Sequence, residues 1–112
     1  MSKENLERKS ARELHGDFAG SYGEYHGLSE YFKVARNILS VGEMVQRRGL
    51  KMLDMPSMRD EDKPWVIYKD GQTFGESLGF WEFDDGIWIA GADLDRFEQE
   101  VGIPINMEGA VG

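Results

Sequence analysis

Two histidines are the residues best suited to acid–base chemistry in this sequence of 112 residues. His15 lies two residues before Asp17, whose carboxylate could orient an imidazole that acts as a general base. His26 lies eleven residues after His15, about 16 Å along a helix, which is too far for the two imidazoles to share a metal ion. No nucleophile in a defined setting accompanies them, and the chain has no cysteine. The sequence therefore predicts a protein that is not an enzyme and uses no cofactor, with a small enzyme based on His15 and Asp17 as an alternative.

Carboxylates are more numerous than imidazoles, and they are concentrated in the second half of the chain. Residues 1–51 hold nine basic and seven acidic side chains, whereas residues 52–112 hold four basic and fourteen acidic ones. None of the acidic clusters has the alternating acids, glycine and closing glutamate of a calcium loop, so no metal site is predicted. A surface of this sign repels the phosphates of nucleic acid and favours a protein partner with a basic surface.

Aromatic and methionine side chains close to these carboxylates are candidate anchors for such a partner. Alternate side chains of a strand point to opposite faces, so one of the tryptophans at 81 and 88 could be exposed, and methionine suits an adaptable binding surface. We therefore predict a small acidic protein-binding module that docks on the basic, nucleic-acid-binding groove of a partner. Its size and charge suggest an inhibitor or adaptor of a phage or mobile element that mimics nucleic acid. The predicted partner-binding residues are Glu82, Asp84, Asp85, Asp93, Asp95, Glu98, Trp81, Trp88, Met55 and Met58.

The second half of the chain carries the signals of β-strands. Asp70 and Gly71 form a strong hairpin turn, and residues 84–86 form another. An amphipathic pattern followed by Gly102 predicts a closing helix over residues 92–101. The predicted strands are 65–69, 72–74, 79–83 and 87–90.

The first half is predicted to be helical. Good helix formers occupy residues 3–14, and apolar residues at helical spacing occupy residues 29–48, where a capping-box pattern at Ser40 leaves one long helix or two short ones open. Between them, residues 16–27 hold four glycines and an aromatic stripe. Three interpretations stay open for that segment: an ordinary loop, a helix with a glycine groove that could support a homodimer, and a ligand-cradling loop.

These elements together predict the α+β class: a helical N-terminal half packed on a small antiparallel sheet of three to four strands and closed by a C-terminal helix. The organisation expected is a single domain over 1–104, with a helical half over 3–53, a hairpin half over 64–90 and a flexible tail over 105–112. The charged start of the chain does not look like a signal peptide, and no apolar run is long enough to span a membrane. We therefore expect a cytoplasmic protein without a membrane contact.

One pair of segments resembles the small winged-helix regulators known as excisionases. Residues 39–50 are similar to the opening helix and turn of that family, and residues 86–97 are similar to its wing and closing helix. The resemblance implies a DNA-binding regulator that contacts phosphates through Arg47, Arg48 and Lys51. Where the family has its recognition helix, this chain has an acidic stretch beside two prolines, so the resemblance supplies the first alternative to the binding module, ahead of the small enzyme.

Overall fold

The computed structural model describes residues 6–16, 30–56 and 63–105, without the side chains at positions 15 and 74. Within these ranges, six strands form one sheet and three helices accompany it. The strands are β1 Arg8–Ser10, β2 Glu30–Ala35, β3 Lys51–Asp54, β4 Lys63–Tyr68, β5 Leu78–Phe83 and β6 Gly86–Ala90. The helices are α1 Ala11–His15, α2 Ile38–Arg47 and α3 Gly91–Glu100.

The strands are ordered β1-β2-β6-β5-β4-β3 across the sheet, and every neighbouring pair is antiparallel. α2 carries the chain from β2 to the far edge at β3. The chain then returns through consecutive neighbours until β6 pairs with β2. The pairing between β2 and β6 therefore joins the two halves of the sequence into one sheet.

The predicted architecture, a helical first half on a sheet of three to four strands, is wrong. Three of the six strands lie in that first half, and only the broad α+β class remains. β2 forms where the sequence predicts helix, and its Tyr31, Phe32, Val34 and Ala35 are all buried. A strand covered on both faces lacks the apolar–polar alternation that identifies strands, and its apolar run matches helical spacing equally well.

Two turn predictions meet different outcomes. The hairpin around residues 84–86 is confirmed, with β5 and β6 paired up to Phe83 opposite Gly86. The first hairpin is wrong at its second strand, because a 3-10 turn over Phe74–Glu76 follows Asp70 and Gly71 and β4 pairs with β5 instead. α2 begins at Ile38 rather than at Ser40, since the Asn37 side chain caps it by accepting a hydrogen bond from the Ser40 amide at 3.0 Å.

The main hydrophobic core lies between the two longer helices and one face of the sheet, which we name the first face. Apolar side chains of the sheet, of α2 and of α3 form a single buried cluster there. On the first face, Ile87 and Ile89 of β6 pack with Phe80 of β5 and Phe97 of α3. Within the described ranges, no helix is long and apolar enough to cross a membrane.

The opposite side of the sheet, the second face, carries a smaller cluster. Ala11 and Leu14 of α1 pack there with Tyr31, Trp88 and Ala90 of the central strands. α1 starts directly after β1 because Ser10 and the third helical residue form a capping box. The second face is therefore closed by α1 over β2 and β6.

Candidate functional site

Toward the β3 edge, the second face presents a row of apolar side chains fixed by strand register. Pro64 pairs with Trp81 across β4 and β5, and Val66 pairs with both Leu53 and Gly79. Pro64, Val66 and Trp81 are half-buried, and Leu53 is 50% exposed. This part of the second face thus keeps apolar surface in contact with water.

The two tryptophans whose faces the sequence left open lie opposite each other on the second face. Trp88 is 0% exposed and belongs to the smaller cluster, so it is a core residue. Trp81 packs against that cluster but stays half-buried. Of the pair, only Trp81 is therefore accessible to a partner.

A depression of about 260 Å³ lies beside Trp81, and we name it the Gly79 groove. It forms where Gly79, in the interior of β5, has no side chain to cover the sheet between Val66 and its neighbours. Asp93, in the first turn of α3, is the only charged residue among the described lining residues. The groove is lined by Pro64, Trp65, Val66, Ser77, Gly79, Phe80, Trp81, Ala90 and Asp93.

The glycine at position 79 is not required by the backbone or by packing. Its φ is not among the positive values, and a Cβ added there would have its nearest neighbour, the Trp65 carbonyl oxygen, at an ordinary 3.8 Å. Gly86 is the opposite case, because its φ is +147° and a Cβ would lie 2.5 Å from the Lys33 Cε. A glycine inside a strand costs stability and often marks a close approach of a ligand or another backbone. Position 79 therefore leaves open space on a sheet face at some cost to the fold.

A second concavity, the turn cleft, lies around the turn between β5 and β6. Its volume is about 760 Å³, and charged side chains of both signs line it. Three of the predicted acids thus face three basic side chains instead of forming a uniformly negative surface. The cleft is lined by Lys9, Glu13, Leu14, Arg36, Asn37, Lys63, Glu82, Phe83, Asp84 and Asp85.

Asp85 connects this cleft to the core. Its carboxylate accepts hydrogen bonds from the Lys9 ammonium at 3.0 Å and from the Trp88 indole N–H at 3.1 Å. The same ammonium lies 5.0 Å from the centroid of the Trp88 ring, where a cation–π attraction operates. Burial raises the pKa of Asp85, but the hydrogen bonds from Lys9 and Trp88 and the charge of Lys9 outweigh it, so the pKa is lowered from its ordinary value. Asp85 therefore stabilises the fold by holding the buried tryptophan.

The other predicted acids lie in separate places. Glu82 accepts a hydrogen bond from the Trp65 indole at 3.0 Å, and Asp84 is exposed at the turn. Asp93, the exposed Asp95 and the half-buried Glu98 belong to α3, which begins at the other end of β6. The five residues of β6 separate the turn from that helix, about 17 Å at the rise of a strand. The acids therefore form at least two groups, at opposite ends of β6.

The methionines of the predicted site are also divided. Met55 is half-buried directly after β3, and its amide donates to the Pro64 carbonyl oxygen at 2.8 Å. Met58 lies outside the described residues, as do residues 17–27 of the glycine-rich segment 16–27 and residues 106–112 of the predicted tail.

The geometry needed by the winged-helix alternative is not found in the described chain. α2 is followed by β3, not by a second helix. Of the three basic residues it would use, Lys51 is paired with Asp70 at 2.9 Å, which raises the pKa of Lys51. Arg48 donates to the Gln99 carbonyl oxygen at 3.5 Å, and Arg47 is exposed.

The catalytic alternative has little of its site within the described residues. The side chain of His15 and all of Asp17 lie outside them. Among the residues that the structure describes, no group of three or more histidine, cysteine or acidic side chains is placed to hold a metal ion.

Comparison with known proteins found no family model, curated protein or solved structure that matches the chain. The functional interpretation of the Gly79 groove is therefore based on its geometry alone.

Of the nine residues that line that groove, only Trp81 and Asp93 belong to the predicted partner-binding set, and Pro64, Val66 and Gly79 are among the seven that do not. A signal for Gly79 exists in the sequence, because a glycine within the apolar stretch 78–83 interrupts a strand pattern. Val66 and Pro64 gave no comparable signal, since their position beside the groove depends on the register between β4 and β5.

Proposed function

We propose that the protein is a non-catalytic binding module that docks a segment of a partner protein into the Gly79 groove. The observation that carries the proposal is the glycine itself. Alanine would fit at position 79 without strain and would avoid the entropic cost of glycine in a strand. The stability of the fold therefore does not explain why this position is a glycine. A depression bordered by half-buried Trp81 and Val66 suits an apolar side chain, and tryptophan is a frequent anchor at binding surfaces.

The charge of the groove supports a partner segment with basic residues. Asp93 supplies a carboxylate at the groove, and no described lining residue is basic. The chain carries a net charge of −8, which accelerates the approach of a basic partner at low salt. The partner segment we propose therefore presents an apolar side chain next to a lysine or arginine. The inhibitor or adaptor role on nucleic-acid-handling machinery is a finer form of this proposal and rests on size and net charge.

A defined peptide pair tests the proposal. A short synthetic peptide with a central leucine flanked by lysines is compared with the same peptide flanked by glutamates, using amide chemical shifts and tryptophan fluorescence. We expect the lysine peptide to shift the amides of Gly79 and Trp81, and the glutamate peptide to leave them unchanged. Asp93→Asn should weaken binding of the lysine peptide. No shift at these amides with the lysine peptide would count against the groove.

The matched variants are two glycine substitutions. Gly79→Ala places a methyl group in the groove, whereas Gly75→Ala places one on an exposed turn where the nearest atom is 4.0 Å away. We expect the first to reduce peptide affinity by several-fold and the second to leave it unchanged, with both variants folded. Equal affinity of both variants for the lysine peptide would contradict the proposal.

A further inference from the structure

The edge of the sheet at β3 presents backbone groups that the described sheet does not use. β3 is the last strand of the order, so its one strand neighbour in the described sheet is β4. The hydrogen bond from the Met55 amide to Pro64 sets the phase of the ladder. Because bonded and non-bonded pairs alternate in an antiparallel ladder, Leu53 bonds to β4, whereas Met52 and Asp54 direct their N–H and C=O groups away from it.

The opposite edge of the sheet is protected in a way that the β3 edge is not. β1 has three residues and leads directly into α1, and it carries Arg8 and Lys9 in ion pairs. Short, charged edges discourage the addition of another strand. β3 is also short and carries Lys51 and Asp54 at its two ends, but the charge of Lys51 is paired with Asp70, and Leu53 between the two charges is 50% exposed. The β3 edge is therefore the better site for strand addition.

We propose that β3 pairs antiparallel with β3 of a second copy of this chain. A twofold axis that relates two antiparallel edge strands is perpendicular to the sheet, so each face continues into the same face of the other copy. Paired residues must therefore lie on the same face. One register that satisfies this condition places Leu53 opposite Leu53 of the second copy and pairs Met52 with Asp54.

Self-complementarity is the reason to choose a second copy as the occupant. In this register, the outward groups of Met52 and Asp54 from both copies form four hydrogen bonds, since each pair contributes two. The exposed Leu53 is buried against itself on the second face, and Lys51 lies opposite Met55, so no like charges face each other. The shared edge is only four residues long, and an interface of this size gives a dimer whose population depends on concentration.

The absence of cysteine from the chain permits a direct cross-linking test. Leu53 would occupy a non-hydrogen-bonded pair with Cα atoms about 4.5 Å apart, inside the range of about 4.4–6.8 Å that a disulfide spans. Leu53→Cys is compared with Leu39→Cys, at the other large exposed apolar side chain among the described residues, which is 75% exposed on α2. We expect Leu53→Cys to form a covalent dimer in glutathione buffer at least several-fold faster. Because Leu39 is the more exposed, faster or equal dimerisation of Leu39→Cys would overturn the proposal, and so would faster dimerisation of Met52→Cys.

A second measurement uses the cysteine-free chain in sedimentation. We expect the dimer fraction to rise with protein concentration, and also with salt, because salt screens the repulsion between two chains of net charge −8. Asp54→Pro removes an outward N–H without touching the bonds to β4, and it should lower the dimer fraction, whereas Asp54→Ala should retain it. A dimer unaffected by Asp54→Pro, or no dimer at any concentration together with slow cross-linking of Leu53→Cys, would refute the pairing. Peptide affinity for the Gly79 groove should decrease as salt is added, whereas the dimer fraction should increase. The two measurements therefore distinguish a failure of one proposal from a failure of the other.

Discussion

The two faces of the sheet differ in how they are closed, although they share the same strands. On the first face, two helices of ten residues each cover an apolar layer in which Phe80 and Ile89 are almost completely buried. On the second face, the five-residue α1 covers the central strands, and the apolar side chains toward β3 remain half-buried around the Gly79 groove. The same chemical type of residue thus stabilises the fold on one face and is available for binding on the other. Substitutions on the first face should therefore change mainly stability, and substitutions around the groove should change mainly binding.

The largest difference in stability and in peptide binding is expected between substitutions of two neighbouring aromatic residues of β5 that point to opposite faces. Phe80 is 1% exposed, with its ring centroid 6.4 Å from that of Trp65 and 6.3 Å from that of Phe97. Phe80→Ala should lower the free energy of unfolding by about 3–5 kcal/mol, because it leaves a cavity in the core. Trp81→Ala should cost less stability but lose most peptide binding. Urea unfolding and peptide titration of both variants check this, and a larger stability loss for Trp81→Ala would contradict the division between the faces.

A smaller difference in stability is expected between alanine substitutions at two glycines of the same hairpin. At Gly86, an added Cβ would also lie 2.8 Å from the Ala35 carbonyl oxygen, and the positive φ disfavours any other residue. Gly86→Ala should therefore destabilise the fold by about 1–3 kcal/mol. Gly79→Ala should leave stability unchanged or raise it by about 0.5–1 kcal/mol. Thermal unfolding of the two variants measures the contrast, and a clear loss for Gly79→Ala would show that the glycine has a structural role.

The smallest expected effect is the pH dependence of stability that comes from Asp85, beside the part of the second face that α1 closes. Because the pKa of Asp85 is lowered in the folded protein, its contribution is present above the unfolded value of about 3.9 and is lost as the pH falls through the lower folded value. Asp85→Asn should therefore reduce stability near neutral pH, and the difference from wild type should shrink below about pH 4. The loss should stay below about 1 kcal/mol, since the carboxylate is partly exposed.

The control for this prediction is Asp84→Asn, at the exposed neighbouring position of the same turn. Urea unfolding at a series of pH values should show almost no effect of that substitution. If both variants had the same pH profile, the contacts of Asp85 with Lys9 and Trp88 would not explain the dependence.

Local signals were sufficient where a segment's own residues determine its conformation. The turn at residues 84–86 ends on Gly86, whose positive φ suits glycine, and α3 follows from apolar residues at helical spacing. β2 and β3 could not be predicted in this way. β2 is buried on both faces. β3 is a four-residue edge strand that pairs with β4, and the sequence between the two strands is a charged stretch that indicates a loop.

The candidate site shows the same division. The sequence placed Trp81 and Asp93 among the binding residues, because aromatic and acidic side chains are concentrated there. It could not decide which tryptophan faces outward, since a shift of one residue in register exchanges the two faces. It also could not bring Val66 and Gly79 together, because that pair depends on the register of β4 against β5.

The sequence by itself determined the acidic charge, the second hairpin and the closing helix, because these depend on composition and on neighbours close in the chain. The tertiary structure decided that the first half contributes three strands and that Trp88 is buried while Trp81 is not. It also placed the acids in separate groups at the two ends of β6. The physical reason is that burial and strand pairing depend on residues far apart in sequence, as β2 and β6 are, and no local pattern records which distant strand will cover a given face.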